Sequence, residues 1–595
     1  MPNPTPRGQL HQTLYGYQIF FILLTAVIGH GIFGSNGSAL ENAGPGGLII
    51  SIVLISCVTI CVGECIGEMT QQFPIPNSMV AYVQEFVDPD LGLVIGLCYW
   101  YSYAAAFAIQ NATVATLTDY WRTEQNTDRQ AWQALAFYVI GPLIMFGLNM
   151  TGVFYYGIIE TISGALKVVL VIGTSIYLYI IPSRSDTGDV KSASDWFTKS
   201  SDLDTWSYPM ALFLAIPSVA YSFQGIEITA MAAFEARSTH ALRWPSRWTV
   251  YAVALFYIMC SVGEGLTVPP DDSHLLSSDD AACNNGDSHG RYYNSMIVVA
   301  ASNAGHYNIA GFLNCCLIFS VVSAANTSLY ASSRSMYGLA QLITTPNWIT
   351  KNFEWVGAVD TKTGVPFGAL LLSTLAFAWL PFLQIGCGRE DVITKMSIST
   401  STACMIVWAA LCLAYIRYHR WLKKCETVLK RDYPHYCRTS PEYTPRVNLQ
   451  RFQPVPAWIG LIGCLVFFGF SSAQWWRGRE TEKDKLIGNV ASAYGVHIVL
   501  FVLLVIRKLF KGRLFQKWGV VLTDDGHYLA TNVLDPLCRR NIYDRAHRAS
   551  APWRDRIRLP RLSPSAYEES SNGRASVHMN GSAVRNDQPS PGPLG

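Results

Sequence analysis

The sequence predicts an all-α integral membrane protein of about twelve transmembrane helices, in which helices one and six are broken and open two five-helix repeats. Three observations carry this reading. The 595-residue chain is 50% hydrophobic and only 14% charged, against about 25% charged in a soluble globular chain, so too few charges remain to solvate an ordinary surface. Apolar runs of membrane length recur almost to residue 510. Two of those runs carry glycines and ionisable residues at membrane depth.

A bilayer core about 30 Å thick needs roughly 20 apolar residues per helix. Runs that meet this lie at 17–40, 45–70, 91–119, 132–150, 153–181, 209–235, 248–268, 296–330, 364–384, 393–416, 457–475 and 489–507. The eighth is long for one crossing and is expected to span and then continue as an inside helix. The implied organisation is a cytosolic N-terminus over 1–16, a twelve-helix domain over 17–510 and a cytosolic C-terminal tail over 511–595. Polar residues Met1 to Gln18, followed by a long glycine-rich apolar run, do not fit a cleavable signal peptide.

Orientation follows from lysine and arginine in the loops. The loop 417–456 holds Arg417, Arg420, Lys423, Lys424, Lys430, Arg431, Arg438, Arg446 and Arg451, and the tail opens with Arg507, Lys508, Lys511 and Arg513. An even number of spans puts both on the side of the N-terminus, which is therefore cytoplasmic. The loop 269–295, with Asp271, Asp272, Asp279, Asp280 and Asp287, suits the outside, although the outer loop 476–488 also carries basic residues. Beyond about residue 540 the tail is rich in Arg, Ser, Pro, Asn and Gly and is expected to be largely disordered. It either engages regulatory partners or is inert. A net charge of +3 gives no sign of a nucleic-acid partner.

Most of the fifteen cysteines, such as Cys57, Cys61, Cys65, Cys315, Cys316, Cys404 and Cys412, lie inside apolar runs and act as small hydrophobes. No cysteine pair stands near a histidine cluster at zinc spacing, so no metal is expected. Cys283 and Cys387 fall in outer loops and either pair or stay as thiols.

The breaks carry the chemistry. Ile28-Gly29-His30-Gly31-Ile32-Phe33-Gly34-Ser35-Asn36-Gly37 places four glycines in the first span, and each interior glycine costs about 1 kcal/mol of helix relative to alanine. Close helix packing explains small residues, but glycines flanking a histidine at membrane depth favour an unwound stretch whose free backbone groups bind a ligand. The sixth span matches it: Ala220-Tyr221-Ser222-Phe223-Gln224-Gly225-Ile226-Glu227 sets a glycine and a glutamate mid-membrane. An ionised carboxylate there costs at least a few kcal/mol, so such residues usually face a cavity and serve function. Lys167, in Gly164-Ala165-Leu166-Lys167-Val168-Val169-Leu170 of span five, lies too deep to snorkel. It either exchanges a proton or is a structural lysine paired to a neighbouring oxygen.

At these residues the chain resembles the fungal amino-acid permeases of the amino acid–polyamine–organocation superfamily, over roughly residues 15–510. The resemblance runs in order through Ile28 to Phe33, Gly44-Pro45-Gly46-Gly47, Gly67-Glu68, Pro74 and Ser78. It continues through Phe86-Val87-Asp88-Pro89, Tyr99-Trp100 and the Glu160-to-Lys167 spacing. Phe223 to Glu227, Glu235-Ala236, Leu329 to Arg334 and Gly364-Val365-Pro366 complete it. It implies the five-plus-five inverted-repeat fold with two extra helices and symport of an amino acid with a proton, in a plasma-membrane protein with both termini cytoplasmic. The implied substrate site comprises Gly29, His30, Gly31, Ile32, Gln110, Phe223, Gln224, Gly225 and Glu227, with proton coupling at Lys167 and Glu227. Backbone N–H groups of Gly29, His30 and Gly31 would hold the substrate carboxylate, and carbonyls of the broken helices its ammonium, as helix termini favour. Phe223 would gate the site, and Lys167 would stand where sodium-coupled relatives hold an ion. No catalytic residue and no cofactor are implied; the energy source is the proton gradient.

Three departures mark this chain within that resemblance. His30 replaces a small hydroxyl residue and titrates near neutrality. Gln110 stands where many members carry glutamate, and Arg237-Ser238-Thr239-His240 replaces an Asn-Pro turn. The alternative reading is an amino-acid sensor on a transporter scaffold, using the same site with little flux. An enzyme is disfavoured: the sequence has no HExxH, GxSxG or GxxxxGK[ST]. A channel is disfavoured because paired broken helices suit a closed midplane site.

Overall fold

The computed structural model describes residues 10–29, 31–121, 131–181, 208–270, 272, 295–342, 354–384, 390–472, 483–511 and 519–538. His30, Cys283, Cys387, nearly all of the acidic loop 269–295, most of the basic outer loop and the tail from 539 lie outside the described residues.

The described residues form helices, with a single isolated bridge between Leu14 and Ala236. Helix α1 (Gly16–Val27) stops at Ile28, whose backbone is extended at φ −75°, ψ 93°. The chain resumes in a widened helical turn, Gly31–Ser35, and runs into α2 (Asn36–Gln72). Within α2, Gly44 adopts φ 69°, ψ 176°, a conformation open to glycine because it lacks a Cβ. Pro45 follows, pre-set for a helix start. The resumed first span and the second therefore meet at one corner residue.

Helix α3 (Ser78–Phe86) leads to α4 (Pro89–Thr118), capped by Asp88, whose side chain accepts from the amides of Asp90 and Leu91. Next come α5 (Gly141–Met150), α6 (Val153–Ile180) and α7 (Tyr208–Ser222). After α7 the chain turns irregularly through residues 223–227 before the short α8 (Ile228–Ala232). The second half holds α9 (Thr239–Thr267), α10 (Met296–Asn303), α11 (Tyr307–Gln341), α12 (Phe367–Ala376), α13 (Glu390–Lys424), α14 (Glu426–Asp432), α15 (Val455–Gly469) and α16 (Lys483–Phe510).

Among the described residues nine helices are long and apolar enough to cross a membrane. Three shorter apolar helices, Ala211–Ser222, Phe367–Leu383 and Val455–Gly469, coincide with the sixth, ninth and eleventh runs read from the sequence. The run 296–330 needs correction: it does not start as one spanning helix. Gly305, at φ +79°, separates α10 from α11, and α11 carries on to Gln341. A span-length hydropathy average passes over that corner, because the apolar residues Ile297 to Ala301 before it and Ile309 to Leu313 after it outweigh the few polar ones between.

Outward-facing side chains form an apolar belt that includes Leu143, Ile144, Ile162, Val169, Ile180, Ile498 and Phe501. An exposed aliphatic surface of this extent is what lipid, not water, covers. Polar residues turn inward instead. Glu68 is fully buried and accepts from Arg438, Tyr415 and Tyr443, which ties α13 and the loop after α14 to the end of α2.

Candidate functional site: two crossed helix breaks

The two interruptions lie against each other. A Cβ added at Gly31 would stand 2.4 Å from the Cα of Ser222, at the end of α7. Gly225, at φ +130°, lies on the end of α1: its Cβ would stand 2.8 Å from Val27 Cγ2 and 3.0 Å from Ala26 Cβ. Each break thus carries a glycine where the other's backbone passes. Gly29 meets α11, where a Cβ would lie 2.8 Å from Ala324 Cβ.

Helix ends leave carbonyls without intrahelical partners, and here side chains from three other helices take them. Tyr257 of α9 has its hydroxyl 2.7 Å from both the Val27 and the Ser222 carbonyl oxygens, so its one proton serves the two breaks in turn. Lys167 of α6 donates to the Thr25 carbonyl at 2.8 Å and to the Ile28 carbonyl at 2.7 Å. Ser320 of α11 donates to the same Ile28 oxygen at 3.1 Å. Lys167 is fully buried, so its charge is solvated by the α1 C-terminus, where the helix dipole favours a cation.

One turn pair away on α6, Glu160 accepts from Asn326 Nδ2 at 2.7 Å and from the Thr327 hydroxyl at 3.2 Å, both on α11. The Thr25 hydroxyl reaches the Glu160 carbonyl at 3.3 Å. Glu160 and Lys167 therefore bracket the broken end of α1 from one helix.

Glu227 faces elsewhere. It is fully buried and accepts from Tyr103 of α4, from Trp408 Nε1 at 2.9 Å and from the Cys404 thiol at 3.3 Å, both on α13. The Gly225 amide approaches it at 3.4 Å. These donors come from three elements, so the carboxylate pins the second break to α4 and α13. Its hydrogen bonds do not include Lys167: of the two residues read from the sequence as proton-coupling, Glu227 lies at the second break and Lys167 reaches the first from α6.

The remaining candidates divide. Phe223 is fully buried, edge-on to Tyr257 with ring centroids 4.8 Å apart, and Ile32 is buried in the same large core. Gln224 donates to the Ser102 carbonyl at 3.4 Å, while its Oε1 and the Ser222 hydroxyl are buried without a hydrogen-bond partner. Such groups are costly unless a ligand or water meets them. Gln110 belongs to a neighbouring layer, where Ser328 donates to its Oε1 at 3.4 Å.

Sequence reasoning missed Tyr257, Ser320, Tyr103 and Trp408 as parts of this arrangement. Each sits in an otherwise apolar run. The available signal was that buried Tyr and Trp usually need a partner for their polar atom, but nothing local names the partner.

A second cluster ties the segment before α1 to the chain after α8. Leu14 pairs by backbone with the end of α8, its amide donating to the Glu235 carbonyl at 3.1 Å. Glu235 bonds Arg334 at 2.8 Å and accepts from Tyr330.

Comparison with known proteins places the chain in a family. Residues 18–431 match the amino acid permease family model. A lysine/arginine permease of Candida albicans is 28% identical over 423 residues, covering 70% of this chain and 69% of its own. A basic amino-acid permease of Saccharomyces cerevisiae is 25% identical over 450 residues, covering 74% of each. A general amino-acid permease of Candida albicans is 26% identical over 420 residues, covering 70% of this chain and 67% of its own. The match spans both helix breaks and extends past α13, and the chain belongs to the amino acid permease family.

Proposed function

We propose that this chain is a proton-coupled symporter that imports amino acids across the plasma membrane by alternating access, with both termini cytoplasmic. The reading includes twelve crossings in a five-plus-five inverted repeat, whose first helices are α1 with its continuation and α7 with α8. The observation that carries it is the crossing of two unwound segments, Gly31 on Ser222 and Gly225 on Val27, with two buried, unpartnered polar groups beside them. Gly29, His30, Gly31 and Ile32 supply the carboxylate end of the substrate site. Phe223, Gln224, Gly225 and Glu227 form its other wall, and Gln110 lies in the layer beside it. Lys167 is the proton-linked cation, acting through the Thr25 and Ile28 carbonyls that it holds.

The substrate is an amino acid; the relatives named for lysine, arginine and broader ranges make basic amino acids the first to try. No cofactor takes part, and the proton gradient supplies the energy. The test is uptake of a panel of radiolabelled amino acids by a permease-deficient host at about pH 5 and about pH 7.5, with and without a protonophore. Acid-stimulated, protonophore-sensitive uptake of one or a few amino acids is expected. No uptake despite surface expression would favour the sensor reading.

A further inference from the structure

Glu264 on α9 is a buried carboxyl that the arrangement above does not use. It lies about two turns beyond Tyr257, on the outer side of the breaks in the proposed orientation. Its side chain is 0% exposed. Asn36, the first residue of α2 after the widened turn Gly31–Ser35, donates from Nδ2 to Glu264 Oε2 at 2.9 Å. The Cys260 thiol lies 3.7 Å from Oε1. The pair therefore joins the resumed half of the first span to α9.

Its donors and acceptors do not balance. Asn36 is 1% exposed, and its Oδ1 is buried without a hydrogen-bond partner. As a carboxylate, Glu264 offers two more acceptor oxygens, and the donors present are one carboxamide NH2 and one weak thiol. A single added proton corrects the count. In the acid, one carboxyl oxygen becomes O–H and donates to Asn36 Oδ1, while Nδ2–H stays on the other oxygen. The two planar groups then satisfy each other.

Among the described residues the surroundings supply no counter-charge. Among the described residues, α6 brings Leu178 against Gly263, α2 brings Pro45 and Ile49 against Gly265, and α9 itself brings Cys260, with the Ser175 hydroxyl of α6 beside that thiol. The ammonium of Lys167 is taken by the Thr25 and Ile28 carbonyls, and the Tyr257 hydroxyl by those of Val27 and Ser222. No lysine, arginine or histidine among the described residues pairs with Glu264.

We propose that Glu264, paired with Asn36, is a second proton-binding site, separate from Lys167, whose occupancy sets the position of the resumed half of the first span. A proton from water adds to one Glu264 oxygen, and the resulting O–H bonds Asn36 Oδ1 and holds α2 to α9. Release returns the proton to water, orphans Oδ1 again and weakens that hold. No electron transfer or leaving group is involved. The inference rests on the symport reading.

The test is the pH profile of uptake in Glu264→Gln, measured against wild type from about pH 5 to about pH 8. Glutamine keeps the pairing with Asn36 but cannot gain or lose a proton. Expected is a flattened profile, with acid stimulation falling at least about threefold, in protein present at the cell surface. A variant profile equal to that of an acid-stimulated wild type overturns the inference and leaves symport standing; a wild type without acid stimulation ends the symport reading itself. A second measurement needs no variant: modification of purified full-length protein by a carbodiimide, which reacts with protonated carboxyls in apolar surroundings, mapped by mass spectrometry. Labelling of Glu264 that fades as the pH rises supports the site, and its absence at acid pH overturns it.

Discussion

At position 31 the side chain has to be a hydrogen atom. A Cβ would come within 2.4 Å of the Ser222 Cα and 2.9 Å of its amide nitrogen, and backbone on a crossed segment has little freedom to retreat. Gly31→Ala is expected to cost about 1–3 kcal/mol, the usual range for overpacking, and to abolish uptake by prising the breaks apart. Thermal melting together with uptake checks this; an alanine variant with normal uptake would mean that the breaks do not need to touch. The need for glycine at 29 and 31 was legible in the sequence, because four glycines in a membrane run have a known helix cost. That Gly31 opposes Ser222 was not legible, since the 190 intervening positions hold no local record of the crossing.

Two interrupted helices become one element through α9. The Tyr257 hydroxyl lies 2.7 Å from a carbonyl on each, and its ring packs edge-on to Phe223. Tyr257→Phe keeps the ring and removes the donor, leaving two buried carbonyls with one fewer partner. The expected loss is about 1–3 kcal/mol of stability, the cost of an unmet buried polar group, with uptake reduced more than surface expression. Unchanged melting and uptake would show that the bridge is not used. At this scale the sequence conveyed where helices break, since both interruptions combine glycine with a polar residue. It did not convey how long the pieces are: the corner at Gly44 and the separation of α10 from α11 at Gly305 depend on positive φ angles, and hydropathy averages do not report backbone dihedrals. Glu227 illustrates the other gap. Its place mid-span was plain, but its donors come from α4 and α13, which only the assembled bundle brings near.

Across the whole molecule, the segment that follows α16 returns to the helical body. Lys508 bonds Asp88 at 2.8 Å, the Gly519 amide bonds the same carboxylate at 3.1 Å, and the Val520 amide bonds the Val87 carbonyl at 2.8 Å. Trp421 donates to the Thr523 carbonyl at 3.1 Å and Tyr436 to Asp535 at 2.9 Å, with Leu529, Leu534 and Leu537 buried beneath. The lysines and arginines of this side were legible as an orientation signal; the docking of 519–538 was not, because its partners lie about a hundred or more residues away. Asp88 is the hub. Burial alone pushes its carboxyl up, but Lys508 and the amides of Leu91 and Asp90 outweigh that and hold it below the usual carboxylate range. A depressed carboxyl contributes stability that is fully present above its unfolded pKa, about 4, and is lost as the pH falls through the folded value. Asp88→Asn should therefore melt below wild type at neutral pH, with the gap closing below about pH 4. A gap that persists unchanged in acid would contradict the ion-pair account.

The central claim is that amino-acid entry carries a proton through the crossed breaks. The most direct measurement places the purified protein in liposomes loaded with a pH-sensitive dye and adds the transported amino acid outside. The account predicts that the lumen acidifies as the amino acid enters, and that Lys167→Met, folded and reconstituted equally, loses this acidification. Amino-acid entry with no change of internal pH in the wild type, or undiminished acidification in Lys167→Met, would contradict it.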